Sequence, residues 1–218
     1  MTESAFNHIQ SSYVAGIYMG GGTGALLHYT PYGRFVEKRG RNSHHVHNEW
    51  CMNRFLDALG VCVPQATLHL DSHLNYIMLT EYEEGASRYQ PKRDAEQVTH
   101  DFVPHALIAN WDMLGLDNDN ILRRPNGRLT YVDVGGSGPF RAEGKPKGER
   151  FTSTVGELDT LRDKNPYELG HITEQDIGQS FDRYGGEDAM YDALPHIHDG
   201  QTRKIMRQRI QDVARRVA

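Results

Sequence analysis

Apolar positions in the first third of the chain form short runs that are separated by turn-forming residues. A glycine-rich stretch at residues 20–24 and the segment Pro31-Tyr32-Gly33 interrupt these runs, and such segments are typical of turns between strands. Residues 1–12 are polar and predict a loosely attached N-terminal segment. The apolar runs predict strands at residues 14–19, 25–29, 34–38, 65–70 and 76–81.

Later segments predict helices. Residues 48–59 and 201–217 carry apolar residues at helical spacing, and residues 102–113 are mostly apolar and predict a buried helix. Gly60 is suited to end the first of these helices. Thr173 and Asp176 are suited to begin another, as an N-cap residue and a first-turn acid. The predicted helices cover residues 48–59, 102–113, 174–184 and 201–217.

The remaining segments connect these elements. Pro125-Asn126-Gly127 predicts a β-hairpin between residues 120–123 and 129–132. Residues 83–93 predict a linker, and residues 135–152, rich in Gly, Lys and Arg, predict a loop. Because strands come first and helices later, we expect an α+β protein with two lobes. The N-terminal lobe would comprise residues 1–82 and the mainly helical C-terminal lobe residues 83–218.

Composition narrows the possible partners and compartments. The 218 residues include 24 Lys and Arg against 29 Asp and Glu, a net charge of −5, so we expect no nucleic-acid partner. We find no apolar run of membrane-spanning length and no secretory signal pattern. Cys51 and Cys62 are too few for a disulfide framework and are expected as buried thiols. We predict a cytoplasmic protein, or one exported by a route that needs no signal peptide.

Candidate phosphate-binding residues lie in the N-terminal part. Gly20, Gly21, Gly22, Thr23 and Gly24 fall between two predicted strands, where glycines let backbone N–H groups approach phosphate oxygens. Lys38 follows Gly24 by fourteen residues, and Glu49 follows Lys38 by eleven. A lysine on a strand below such a loop can reach a phosphate as a point charge. The glycine stretch taken alone also fits an ordinary turn.

Oxygen donors cluster around the predicted hairpin. Asp112, Asp117, Asp119 and Asn120 precede one of its strands, and Asp133 follows the other. Hard oxygen ligands of this kind bind Mg²⁺, and a carboxylate near an attacking hydroxyl can act as a general base. Asp and Asn also initiate turns, but the density of these residues exceeds what turns alone require.

Taken in order, these motifs resemble the protein-kinase-like fold, and compact bacterial and phage-associated kinase-like domains in particular. The likeness covers roughly residues 14–165 and includes residues 21–25, Lys38-Arg39-Gly40, the stretch from Asn110 to Asn120, and residues 133–137. The resemblance implies that the glycine segment covers the phosphates of ATP and that Lys38 contacts them while paired with Glu49. It also implies that Asn120 and Asp133 bind Mg²⁺.

The resemblance further implies a hinge at residues 80–82, where the backbone of Glu81 and Tyr82 would receive the adenine. One departure concerns the catalytic base, which such kinases carry five residues before the metal-binding Asn. That position is Gly115 here. We assign the base to Asp112, with Asp117 and Asp119 as alternatives.

The predicted function is ATP- and Mg²⁺-dependent transfer of the γ-phosphate to a hydroxyl, with a protein as the acceptor. The compact length resembles small kinases that pathogens deliver into host cells, in which case the acceptor would be a host protein. Three alternatives stay open: AMP transfer, phosphorylation of a small molecule, and binding of nucleotide or a partner without turnover.

Two further clusters have a functional and a structural interpretation. His44, His45 and His47 could ligate a metal, but with no spaced Cys or acidic partners we interpret them as a solvated turn before a helix. The basic residues after Asp133 fit either a segment that holds an acidic substrate or a charged flexible loop. They are Arg141, Lys145, Lys147 and Arg150.

Overall fold

The computed structural model of the chain describes residues 2–12, 16–19, 24–40 and 42–218. Its N-terminal part is built on a five-stranded antiparallel sheet in the order β1-β2-β3-β5-β4. The predicted strand pattern is confirmed within the described residues, although β1 is shorter than predicted. The strands are β1 (Ile17–Tyr18), β2 (Leu26–Thr30), β3 (Gly33–Lys38), β4 (Ala66–Leu70) and β5 (Tyr76–Glu81).

Two helices accompany this sheet. The helix α1 (Thr2–Ser12) packs Ala5, Phe6 and Ile9 against Phe35 and neighbouring sheet residues. The prediction of a loosely attached N-terminal segment was therefore wrong, because these apolar residues are buried. The helix α2 (Ser43–Leu59) begins five residues earlier than predicted.

The ends of α2 follow capping chemistry. The side chain of Asn42 accepts a hydrogen bond from the N–H of His44, which begins the helix. Gly60 has φ +86° and ends it in the left-handed conformation, as the sequence predicted. The helix buries Cys51, Met52 and Phe55 in the main hydrophobic core of the C-terminal part. It therefore joins the sheet to that core.

The C-terminal part begins with a small sheet of β6 (Ser87–Arg88), β7 (Ile121–Arg123) and β8 (Leu129–Tyr131). The strands β7 and β8 form the predicted hairpin. The helix α3 (Pro91–Leu107) begins inside the predicted linker and ends before Met113, so the predicted helix over residues 102–113 was misplaced. Pro91 occupies its first turn, where the missing N–H costs nothing.

Four more helices complete the molecule. The capping box of Thr173 and Asp176 begins α5, as the sequence predicted. The helix α7 begins with Asp199 as its N-cap. Among the described residues, no helix combines the length and apolar character that a membrane span needs. These helices are α4 (Glu157–Lys164), α5 (Glu174–Arg183), α6 (Gly186–Ala193) and α7 (Gly200–Val217).

The observed architecture is thus α+β and bilobal, with a sheet-containing N-terminal lobe and a mainly helical C-terminal lobe. Cys51 and Cys62 are both buried free thiols, as expected.

Candidate functional site

A cleft of about 780 Å³ lies between the five-stranded sheet and the C-terminal lobe. Side chains from β3, the end of β5, the loop before β7 and the segment after β8 all face it. Most of the predicted site residues that the structure describes meet here. The lining includes Lys38, Thr80, Glu81, Tyr82, Asp112, Asp119, Asn120 and Asp133.

Lys38 lies at the end of β3, paired in register with Met78 of β5. Its ammonium lies 2.5 Å from the Glu49 carboxylate on α2 and 3.3 Å from Asp133 Oδ1. Lys38 is 6% exposed and Glu49 only 1%, and buried charges of this kind are found only when they are paired. The two lobes therefore contribute one cation and two anions to a single point of the cleft.

Electrostatics keep Lys38 and Asp133 charged, whereas burial raises the pKa of the Glu49 carboxyl above its ordinary value. Burial alone would lower the pKa of Lys38, but the carboxylates of Asp133 and Glu49 outweigh it and raise the pKa above its ordinary value. Burial likewise opposes ionisation of Asp133, yet Lys38 holds the pKa of that carboxyl below its ordinary range. The ammonium and the Asp133 carboxylate therefore stabilise each other.

The segment after Asp133 is shaped by two glycines. The N–H of Gly135 donates to Asp133 Oδ1 at 2.9 Å, which fixes the carboxylate. A Cβ on Gly135 would lie 3.1 Å from Glu49 Oε2, and one on Gly136 would lie 3.0 Å from Asp112 Cβ. Such distances are too short for side chains in ordinary packing, so this Gly-Gly pair lets the Asp133 segment approach α2 and the Asp112 loop closely.

Asp112 and Asn120 are held together by the loop between them. The Nδ2 of Asn120 donates to the backbone carbonyl of Asp112 at 2.7 Å, which leaves the Asn120 side-chain oxygen as an acceptor. The N–H of Asp112 donates to the Asn110 side-chain oxygen. Burial, followed by the charge of Asp133, raises the pKa of the Asp112 carboxyl. The Asp112 carboxyl is therefore more readily protonated than the carboxyl of Asp133.

Glycine is required at position 115, five residues before Asn120, because of the backbone conformation there. Gly115 has φ +79°, and a Cβ there would clash with Asp119 Oδ1 and lie 3.0 Å from the N of Asn120. A side chain at this position would displace Asn120. Asp119 lines the cleft, whereas Asp117 is exposed and lies outside its lining.

The oxygen donors of this region form a set that suits Mg²⁺. Carboxylate oxygens of Asp133 and Asp112 and the amide oxygen of Asn120 are hard ligands, and Mg²⁺ in such sites is bound by one or two carboxylates together with substrate phosphates. The residues present therefore fit the metal that the sequence predicted.

The predicted hinge lies at the edge of the same cleft. The N–H of Glu81 donates to the Gln65 carbonyl, and the N–H of Tyr82 donates to the Arg34 carbonyl, both at 3.0 Å. These two N–H groups are thus engaged within the protein, and a ligand here would have to use the carbonyl oxygens of the segment.

The predicted glycine segment is described only at its end. Gly20, Gly21, Gly22 and Thr23 lie outside the described residues, whereas Gly24 has φ +69°. Met19 precedes the segment and Ala25 follows it. The N–H of Met19 donates to the carbonyl of Ala25, and both residues line the cleft.

The basic loop divides into two groups. Arg141 and Arg150 line the cleft, as does Lys164 of α4. Lys147 instead is 3% exposed, and its ammonium donates to the carbonyls of Ala109, Gly136 and Gly138 at 2.6, 2.8 and 3.0 Å. Lys147 is therefore a structural residue that ties the Asp112 loop to the Asp133 segment.

The interpretation of His44, His45 and His47 as a solvated turn was wrong, because all three lie within α2. His45 is buried, and its Nε2 lies 2.8 Å from the Gly135 carbonyl. The contacts of His45 and Lys147 could not be predicted from sequence, since each is made with backbone carbonyls that are distant in the chain. His47 joins a different cluster, described below.

Comparisons with known proteins agree with this architecture. No protein-family model and no curated protein sequence matches the chain. Among solved structures, a proinflammatory kinase of Helicobacter pylori, CtkA, is similar with a TM-score of 0.57 and 10% identity over 92% of this chain and 93% of that one. HipA of Shewanella oneidensis gives a TM-score of 0.48 at 12% identity, with coverage of 100% and 70%. Choline kinase LicA of Streptococcus pneumoniae gives 0.40 at 12% identity, with coverage of 98% and 99%. The chain has the protein-kinase-like fold.

Proposed function

We propose that this protein transfers the γ-phosphate of ATP to a hydroxyl group of a protein acceptor, with Mg²⁺ bound beside the phosphates. The observation that carries the proposal is that the carboxylates of Glu49 and Asp133 both lie within 3.3 Å of the Lys38 ammonium. Asn120 lines the same cleft. Phosphoryl transfer of this kind depends on positioning and on electrostatic stabilisation rather than on covalent chemistry.

In this proposal the cleft separates an N-terminal lobe of residues 1–82 from a C-terminal lobe of residues 83–218. Lys38 contacts the phosphate chain, and Glu49 holds its ammonium in place. The segment Gly20–Gly24 covers the phosphates from above. At the hinge, the carbonyl oxygens of Glu81 and Tyr82 accept hydrogen bonds from the adenine, because their N–H groups donate elsewhere.

Asn120 and Asp133 hold Mg²⁺, which when bound neutralises charge on the phosphates. Asp112 accepts the proton of the acceptor hydroxyl while the hydroxyl oxygen bonds to the γ-phosphorus and the bond between the γ-phosphorus and ADP breaks. The raised pKa of the Asp112 carboxyl makes it a better proton acceptor than an ordinary carboxylate. Arg141, Arg150 and Lys164 surround the acceptor side and attract an acidic peptide.

Transfer assays with labelled ATP test this proposal. We expect label from [γ-³²P]ATP on a protein acceptor, and none from [α-³²P]ATP. Label from the α position would mean AMP transfer instead. Binding of Mg·ATP in a thermal melt, without transfer to protein or small-molecule acceptors, would leave only a nucleotide-binding role.

Matched aspartate variants identify the base and the metal ligand. Asp112→Asn should lower transfer by about 10²-fold or more, since a general base contributes about 10²–10⁴-fold. Asp133→Asn should lower transfer because it removes a carboxylate ligand of Mg²⁺. Asp117→Asn is the control, because this exposed residue lies outside the cleft lining. If Asp119→Asn abolished transfer while Asp112→Asn did not, the base would be Asp119.

A further inference from the structure

A second cluster of potential ligands lies outside the lining of the proposed catalytic cleft, where the ring of His47 packs 4.8 Å from that of Tyr76 at the start of β5. His47 and Cys51 are four residues apart on α2, and His198 precedes the N-cap of α7. One ligand atom from each lies within 4.8 Å of the others, and the Cys51 sulfur is 3.9 Å from His47 Nε2. Residues at i and i+4 share one face of a helix, so the pairing follows from the fold of α2.

We propose that His47, Cys51 and His198 bind a borderline-soft divalent ion, Zn²⁺, with a fourth position open to water. Zinc takes nitrogen and thiolate ligands in tetrahedral geometry, and three protein ligands with an open position are a common arrangement. Bonds of about 2.0–2.3 Å hold the ligand atoms closer together than 4.8 Å. The side chain of His198 is exposed and can make the small approach that closes the site.

The start of α7 places a carboxylate beside the cluster and fixes the backbone at His198. The Asp199 carboxylate, which caps α7 by accepting from the N–H of Thr202 at 2.6 Å, adds negative charge beside the cluster. Arg203 fixes the segment by donating to the carbonyls of Ile197 and His198.

An ion bound at this cluster would connect α2 to the start of α7. Glu49 lies between His47 and Cys51 in sequence, and His198 belongs to the C-terminal lobe. An ion bound by all three would fasten the helix that carries Glu49 to the start of α7. Binding forms the Zn–S bond and breaks the S–H bond of Cys51, whose proton passes to the buffer.

Titration of the chelator-treated full chain with Co²⁺ tests the proposal, because thiolate-to-cobalt charge transfer absorbs in the near ultraviolet. We expect this band to reach its maximum at one equivalent and to disappear when Zn²⁺ is added. Oxygen ligands such as those of the catalytic cleft do not produce the band, so the result is independent of the proposed kinase activity.

Two variants and two controls locate the site. Cys51→Ser should abolish the band, and His198→Gln should weaken Zn²⁺ binding by about tenfold or more. Cys62→Ser, at the other buried thiol, and His73→Gln, at an exposed histidine in the turn before β5, should behave as wild type. Because His198 is exposed, its variant should fold even if the Cys51 variant does not. Absence of the band in wild type, or Zn²⁺ affinity unchanged in His198→Gln, would overturn the proposal and leave a cluster of packed aromatic rings.

Discussion

Replacement of Lys147 by Met tests how the two acidic segments of the cleft are held together. The side chain keeps its length and its apolar stem but loses the ammonium. Its three hydrogen bonds, to Ala109, Gly136 and Gly138 at 2.6–3.0 Å, disappear together. All three acceptors belong to buried residues of the segments that carry Asp112 and Asp133.

The size of the effect follows from what remains after the substitution. The Gly136 carbonyl still accepts from the N–H of Trp111, so the carbonyls of Ala109 and Gly138 lose most. A buried acceptor left without a partner costs about 1–3 kcal/mol, and two such groups give about 4 kcal/mol. This is a large part of the about 5–15 kcal/mol that stabilises a typical domain.

Chemical denaturation followed by circular dichroism measures this loss. Lys145→Met is the matched control: it lies in the same loop, its side chain is 72% exposed, and it forms a surface ion pair with Glu143. We expect the control to change stability by no more than about 0.5 kcal/mol. A loss below about 1 kcal/mol for Lys147→Met would refute the structural role that we assign to this lysine.

Three further substitutions test other parts of the structure. Burial lowers the pKa of His105 to about 3, whereas in the unfolded chain this pKa is about 6.5. As the pH falls, the unfolded chain therefore binds the proton first, and the free energy of unfolding of wild type should fall by about 2 kcal/mol between pH 7 and pH 5. His105→Phe should not show this loss when denaturation is measured at both pH values. Arg209→Met removes a fully buried guanidinium that donates to four carbonyls and a carboxylate and should cost about 3–5 kcal/mol, whereas the exposed Arg215→Met should cost little; equal melting temperatures would contradict this. Gly115→Ala should destabilise the fold by about 1–3 kcal/mol, because the position has a positive φ and its Cβ would clash with Asp119. Gly156→Ala is the control and should not destabilise, since the space around Gly156 is open. Thermal melting with and without nucleotide would detect the accompanying damage to the cleft.

Much of the framework was predictable because it depends on local chemistry. The alternation of β2 and β3, the αL conformation of Gly60 and the capping box of Thr173 and Asp176 are each set by residues close in the chain. The lysine, glutamate and aspartate of the cleft were predictable for a different reason. Their spacing matches a known fold, and the fold supplies the long-range contact.

What could not be predicted depends on distant partners. The helix α1 looks polar, and only the sheet surface formed by Phe35, Ile77 and Leu79 explains why its three apolar residues are buried. Lys147 looks like its neighbour Lys145, and no periodicity distinguishes the two. The helix α3 begins at Pro91 within a polar stretch that predicted a linker, and its buried apolar residues come only from Val98 onward.

The helix α2 has a central part in this architecture because its residues contact β3, the segment after Asp133 and the C-terminal core. Glu49 holds the ammonium of β3, and His45 contacts the backbone beside Asp133. Met52 and Phe55 are fully buried in the core of the C-terminal lobe, and a buried Phe removed from such a core costs about 3–5 kcal/mol. Rotation of α2 away from the cleft would expose this core and would also separate Val46 from Ala66 and Met78 of the sheet. The Lys38–Glu49 pair is therefore held in place by packing that is already complete in the folded chain.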